Sequence, residues 1–430
     1  MRRIIKNRRL HKRLYIYQML EKQGRNKHIS FHTPGHKDPK WDITELSYSD
    51  NLSCPRGVIL QAEQDASKIL GAEKSFLLTD GSTCGVLSML HAAKSLGAKT
   101  VFAREDSHKS LYNACALLGI ELLLLETKTQ NGIPLPVEKE DLDVGAFSRA
   151  DVLFLTSPDY YGNIANLKSI SALCKTQNKL LIIDGAHGGH LHFDKTVHAG
   201  AYADFWVDGV HKSLPALTQG AVVSAKTETG AKALAKAVDI FRTTSPSYPI
   251  MASVEYAVKY PRNESLEKAA REFETQTDRV YFGGDWTKLC CVFGKAAFVV
   301  EKRLQKEGIF AEFCDGNIVC FYLSPATKTR DFNRLKKRLQ VLFDEYPLDE
   351  GKTVQRSPAP LIFDKKQVEW VEIEESVCRV SAGSAGLFPP CVPLIKDGEL
   401  ITKEHVEKMK NADNVFGVVG GKIAVYKKEE

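Results

Sequence analysis

The chain has 430 residues, 43% of them hydrophobic and 26% charged, with a formal net charge of +6. That balance describes an ordinary globular protein of two or three domains and excludes a disordered or fibrous chain. No apolar run reaches bilayer length, and the ten cysteines contain no CxxC pair, so a membrane span, a disulfide framework and a structural zinc are set aside.

The chain opens MRRIIKNRRLHKR. This start is basic but carries no apolar stretch of the kind a secretory signal needs, and a cytoplasmic location follows by default. Without an aromatic-interleaved stripe or a zinc-finger pattern, the basic residues read as a solvated arm and not as a nucleic-acid surface. Residues 14–30 read as a helix and arm, so that 1–30 form a first segment.

From about residue 60 to 225, short apolar runs alternate with amphipathic stretches. The runs are KSFLLT (74–79), KTVFAR (99–104), ELLLLE (121–126), DVLFLT (151–156), KLLIID (179–184), DFWVDG (204–209) and GAVVSA (220–225). Unbroken apolar strands between helices predict an α/β fold with a mainly parallel sheet covered on both faces. In such sheets ligands gather at the carboxyl ends of the strands.

Those ends carry chemistry in chain order. After the first run, Gly81-Ser82-Thr83 open a helix, so backbone N–H groups and two hydroxyls face outward where an anion would sit. REDSHKS places His108 just past the second run, as a stacking ring or a loop histidine. LLIIDGAHGGH ends a strand in Asp184, followed by Ala186 and His187. DFWVDGVHKS then ends a buried strand in His211-Lys212. A phosphate nest, a carboxylate, a flat imidazole and a lysine, each from a separate strand end, form the set that pyridoxal phosphate requires. The same stretch leaves a second reading open: Asp184, His187, His190 and His192 as a metal site, with His190 and His192 on one side of an extended segment.

After about residue 230 longer helices are predicted, one around 286–306 and one over RDFNRLKKRLQVLFDEY (330–346), with NIVCFYLS (317–324) as a strand between them. The expected division is a major domain over 31–255, followed by linker helices and a smaller α+β domain over 256–430.

Several stretches then match a known pattern: ISFHTPGHK (29–37), GVILQAEQDASKILGAEKSFLLTDGSTCGV (57–86), TSPDYYGN (156–163), IIDGAHGGH (182–190), HKSLPALTQGA (211–221) and TTSPSYPIMAS (243–253). In this the chain resembles the Orn/Lys/Arg decarboxylase family, pyridoxal-phosphate enzymes of the fold type I (aspartate-aminotransferase-like) class, in a short form without the N-terminal wing domain. The resemblance implies that Lys212 is the Schiff-base lysine and Asp184 the partner of the pyridine nitrogen. It implies that Gly81, Ser82 and Thr83 hold the phosphate with His211 nearby, that His108 stacks on the ring, and that Ala186 and His187 line its other side. Thr243 or Thr244 would complete the site of a neighbouring subunit in a homodimer. The implied activity is decarboxylation of arginine, lysine or ornithine to carbon dioxide and an amine of polyamine biosynthesis. An aminotransferase or lyase on the same fold, or a cofactor-binding homologue with little catalysis, are the alternatives.

The chain departs from that pattern at four places. Gly209 and Val210 stand where the family has a serine-containing STHK motif, which implies a lost phosphate contact. Gly185 stands where DEAHG has a second carboxylate. Gly383 follows Ser381-Ala382 in place of an acid, and Cys391 follows Pro389-Pro390.

Overall fold

All seven apolar runs become strands of one sheet: β1 (Lys74–Leu78), β2 (Thr100–Arg104), β3 (Glu121–Leu125), β4 (Val152–Thr156), β5 (Leu180–Gly185), β6 (Phe205–Asp208) and β7 (Ala221–Ala225). They are seen in a computed structural model that describes residues 5, 10–26, 29–38, 40–130, 133–142, 145–348, 368–389, 391–412 and 414–427. Arg2, Arg3, Lys6, Arg8 and Arg9 of the basic start, and Pro390, lie outside the described residues. The strand order is β1-β7-β6-β5-β4-β2-β3, and only β7 runs against its neighbours.

The unbroken apolar character of the strands has a direct cause in packing. Alternate residues of each strand face opposite sides, and both sides are buried in every strand but β3, which lies at the sheet edge and is partly exposed. Leu77, Leu153, Ile183 and Trp206 point into one apolar cluster, shared with helices Val58–Leu70, Leu167–Thr176 and Tyr248–Val258. Leu78, Val152, Ile182 and Val207 point into the other, under helices Gly81–Ser95 and Glu228–Phe241.

Beyond residue 258 the described chain builds two further apolar clusters, one over 266–342 and one over 373–425. The first holds a four-stranded antiparallel sheet of β8 (Val280–Tyr281), β9 (Lys288–Val292), β10 (Phe313–Cys314) and β11 (Ile318–Tyr322), in the order β8-β9-β11-β10. Here the structure corrects the helix expected around 286–306. KLCCV is a strand paired residue for residue with β11, and the helix begins only at Ala297, after Gly294 with φ +56°. Its apolar residues fit either period, and pairing with a distant strand decided between them. The helix expected at 330–346 is present as Thr329–Glu345.

Both C-terminal clusters reach the carboxyl ends of the large sheet. Tyr161 Oη donates to Asp315 Oδ2 at 2.8 Å, Tyr322 Oη to the Tyr160 carbonyl at 3.0 Å, and Lys396 Nζ bonds Glu105 Oε2 at 2.7 Å. Among the described residues no helix is long and apolar enough to cross a membrane.

Candidate active site

Three of the predicted loops meet at Gly209. A Cβ added there would stand 2.2 Å from the Ala186 carbonyl and 2.8 Å from Ser82 Oγ. The turns after β1, β5 and β6 are therefore packed against one another with no room for a side chain at 209. Where the sequence suggested a missing hydroxyl, the structure has Ser82 Oγ and the Ala186 backbone filling that space. Gly185 is confined in the same way, its Cβ position lying 2.7 Å from the Val207 carbonyl.

At the end of β1, Gly81 takes φ +75° and donates its N–H to the Gln219 carbonyl at 2.9 Å. Its contribution is the turn, and its N–H is not available to a ligand. Ser82 and Thr83 begin the helix Gly81–Ser95, and their N–H groups have no partner among the described residues. The Ser82 hydroxyl is buried and equally without a partner. Unpaired helix N–H groups and a buried orphan hydroxyl together make an anion cradle.

Asp184, the last residue but one of β5, is paired in register with Thr156 of β4 and is 2% exposed. One carboxylate oxygen accepts the Ala186 N–H at 3.0 Å, and no hydrogen bond within the described residues reaches the other. Burial raises the Asp184 carboxyl above its ordinary value, against the pull of the Ala186 N–H and Lys212. Such a group gains from a contact cation.

Lys212 stands on the single turn Val210–Ser213 that follows β6. Its Nζ lies 3.1 Å from His187 Nε2 and 5.3 Å from the centre of the Tyr160 ring. Burial lowers the Lys212 ammonium below its ordinary value, while Asp184 and Glu312 draw it back up. Burial also holds the His187 imidazole well below its ordinary value, helped by the charges of Lys212 and Lys288. The neutral imidazole accepts at Nε2, and its Nδ1 is buried without a partner. The turn after β6 thus holds an amine beside a neutral acceptor, with its charge disfavoured.

His108 caps the helix Lys109–Leu118, its Nδ1 accepting the Ser110 N–H at 3.1 Å. His211 Nδ1 donates to the Gly220 carbonyl at 3.0 Å. Thr244 is exposed, next to Thr243, whose N–H donates to Asp80 Oδ2 at 3.3 Å. The structure thus gathers Ser82, Asp184, Ala186, His187 and Lys212 at neighbouring strand ends and places His108 within the electrostatic reach of Lys212. It does not bring Thr244 into that group.

Several residues at the site were not singled out from sequence. Tyr160 packs its ring 4.3 Å from that of His187, and Tyr322 packs edge-on at 5.5 Å. Lys288 is fully buried, bonding Asp285 Oδ2 at 3.2 Å and the His187 carbonyl at 3.3 Å. The only sequence signal was Tyr160 within TSPDYYGN. Lys288 and Tyr322 arrive from the second sheet, and no local pattern marks them. The histidine-rich stretch is a 3-10 helix, Gly189–Phe193, and not an extended segment. Its imidazoles separate, His190 Nε2 bonding Asp285 Oδ1 at 2.9 Å and His192 Nδ1 the Gly189 carbonyl at 2.7 Å.

Burial pushes the imidazoles of both His108 and His192 down to about 4 from an ordinary 6.5. Both are neutral in the folded chain, so as pH falls the unfolded chain takes up these protons first. Stability is therefore expected to be complete above about pH 6.5 and to drop progressively toward pH 4. Thermal melts over that range check this, and a midpoint independent of pH would contradict it.

The donor set fits pyridoxal phosphate: an anion cradle, an acid with an unused oxygen, and a lysine amine between them. A family model described as Orn/Lys/Arg decarboxylase, major domain, matches residues 39–277. The chain belongs to the Orn/Lys/Arg decarboxylase family. Members of this family are amino-acid decarboxylases that depend on pyridoxal phosphate. The chain is 28% identical to an uncharacterized protein, YaaO, of Bacillus subtilis (strain 168), over 96% of this chain and 97% of that one. It is 26% identical to an arginine decarboxylase of the same organism, over 94% and 95%. The constitutive lysine decarboxylase of Escherichia coli shares the fold, with a TM-score of 0.73 and 19% identity over 96% of this chain and 82% of that one.

Proposed function

We propose that this member of the family decarboxylates a basic amino acid, arginine, lysine or ornithine, releasing carbon dioxide and an amine of the polyamine type. The observation that carries the reading is the placement of Lys212, with its charge disfavoured, one strand end away from an Asp184 carboxylate that has an unused oxygen.

When bound, the cofactor supplies an aldehyde that joins an amine and a conjugated ring that accepts the electrons of the breaking bond. The chain's own residues do the rest. Lys212 provides the amine, and Asp184 holds a positive charge on the ring nitrogen. Ser82 and Thr83 take the phosphate on the turn that Gly81 makes, beside His211. His108 would lie against one face of the ring, and Ala186 and His187 against the other. His187 Nε2, 3.1 Å from Lys212 Nζ, accepts a hydrogen bond from that amine and orients it.

We further propose a homodimer in which Thr244, with Thr243, completes the site of the second copy. The exposure of Thr244 supports this, as does that of Ile29 and Phe31 (89% and 94%) in the ISFHTPGHK stretch. Large apolar side chains so exposed are suited to cover by a partner.

The test is carbon dioxide release from arginine, lysine and ornithine by the purified chain with pyridoxal phosphate. Carbon dioxide matched by amine, with no 2-keto acid, is the expected result. A 2-keto acid without carbon dioxide would replace the reading with transamination, and neither product from a cofactor-loaded chain would make it a binding homologue.

A further inference from the structure

A second lysine beside the site is buried more completely than Lys212. Lys288, the first residue of β9, is 0% exposed and stands in register with Tyr322 of β11. A cation so buried has to be paired. Its Nζ donates to Thr287 Oγ1 at 2.8 Å, to Asp285 Oδ2 at 3.2 Å and to the His187 carbonyl at 3.3 Å, and lies 4.6 Å from the centre of the Tyr322 ring. Its stem is enclosed as well, since a Cβ added at Gly162 would stand 2.8 Å from Lys288 Cβ.

Stability does not account for this pair. Removing two charges from water costs about as much as their attraction returns, and an apolar pair of similar volume often holds a fold equally well or better. What an apolar pair would not do is grip a loop of the large sheet at two points. Asp285 Oδ1 bonds His190 Nε2 at 2.9 Å, while Lys288 takes the carbonyl of His187, three residues earlier. Burial works against the Asp285 carboxylate, yet His190 and Lys288 hold its carboxyl below its ordinary value.

The His187 ring depends on that grip. Its Nδ1 is buried without a partner, so within the described residues Lys212 alone makes a hydrogen bond to the ring. Its direction is otherwise set by its own backbone and by the rings of Tyr160 and Tyr322, at 4.3 Å and 5.5 Å. Lys288 also acts through its charge. After burial, the charges that oppose an imidazolium at His187 are those of Lys212, Lys288, His108 and His211. On the Lys212 ammonium, burial and Lys288 act in one direction, and Asp184, Glu312 and Cys391 in the other. Lys288 thus disfavours a charge on either partner of the Lys212–His187 hydrogen bond.

We propose that Lys288 is a positioning residue for the reaction: its buried cation, held by Asp285 against the His187 carbonyl, fixes that loop and keeps the imidazole a hydrogen-bond acceptor for the Lys212 amine. The inference rests on the reading of Lys212 as the reactive amine, and it extends the machinery of the site to the second sheet.

The test titrates Lys212 in the cofactor-free chain. Formaldehyde with cyanoborohydride methylates free amines, and the rate at Lys212 is read by mass spectrometry of its peptide from about pH 6 to about pH 10, with surface lysines of the same sample as the reference. Lys288→Met removes both charge and donor, Lys288→Gln removes the charge and keeps a donor, and Lys288→Arg keeps both. The two uncharged variants are expected to move the half-maximal rate at Lys212 upward by on the order of one pH unit, with the surface lysines unmoved, whereas Lys288→Arg should follow wild type. A lysine kept only for structure would lower the thermal midpoint and leave the profile in place. An unmoved profile in both uncharged variants, or an equal shift in Lys288→Arg, would overturn the assignment. Should Lys288→Met fail to fold with Asp285 short of a partner, Lys288→Gln decides. A wild-type chain that gains no visible absorbance with pyridoxal phosphate would instead defeat the reading of Lys212, and the labelling comparison would still decide the role of Lys288.

Discussion

Lys212→Ala is expected to lose carbon dioxide release by on the order of 10^4- to 10^6-fold, the scale seen when a covalent catalytic group is removed. It should also fail to develop the visible absorbance that pyridoxal phosphate acquires on joining a lysine amine. Stability should move the other way. Burial works against the Lys212 ammonium, and among the described residues its nitrogen has only His187 Nε2 as a hydrogen-bond partner, beside the Tyr160 ring. Removing it therefore relieves a desolvation cost, and the midpoint of the cofactor-free variant should equal or exceed that of wild type. The combination is diagnostic because a lysine kept for structure would give the reverse, a lower midpoint with modest effect on rate. Retention of both the absorbance and the activity would end the assignment of Lys212.

What the sequence made legible follows from which contacts are local. Six of the seven strands could be read because burial on both faces removes the ambiguity of alternation; the partly exposed edge strand β3 was read from its run of leucines. Runs such as VLFLT and FWVD have no polar face to hide. Asp184 and Lys212 could be read because each sits where an apolar run stops, a place where a charged residue needs a reason. KLCCV could not be read, since four apolar residues after a lysine fit a helix as well as a strand until β11 is present to pair with them. Tyr322 and Lys288 were invisible for the same reason. They come to the site on the second sheet, more than seventy residues after Lys212 in the chain, and nothing in their neighbouring residues marks them. The glycines at 185 and 209 were legible only as losses. Their meaning is steric, and it appears once the Val207 and Ala186 carbonyls are seen to occupy the places a Cβ would take.

Asp184→Asn is expected to lower kcat by on the order of 10^2- to 10^3-fold, the usual effect of removing one preorganised electrostatic group from an active site. The substitution preserves volume, and the side-chain carbonyl can still accept the Ala186 N–H that holds the acid at 3.0 Å. What changes is the second oxygen, which becomes an N–H2 donor facing the position where a protonated ring nitrogen needs an acceptor. Two like donors then oppose each other in a site 2% exposed, where an unmatched polar group costs about 1–3 kcal/mol. Cofactor affinity should therefore fall together with kcat. The cofactor-free midpoint should hold or rise, because burial already disfavours the ionised Asp184 carboxyl. Titration of each apo-protein with pyridoxal phosphate, followed by carbon dioxide assays at saturating cofactor, separates the two effects. A variant that matches wild type in both measurements would mean that Asp184 serves only to brace the Ala186 turn.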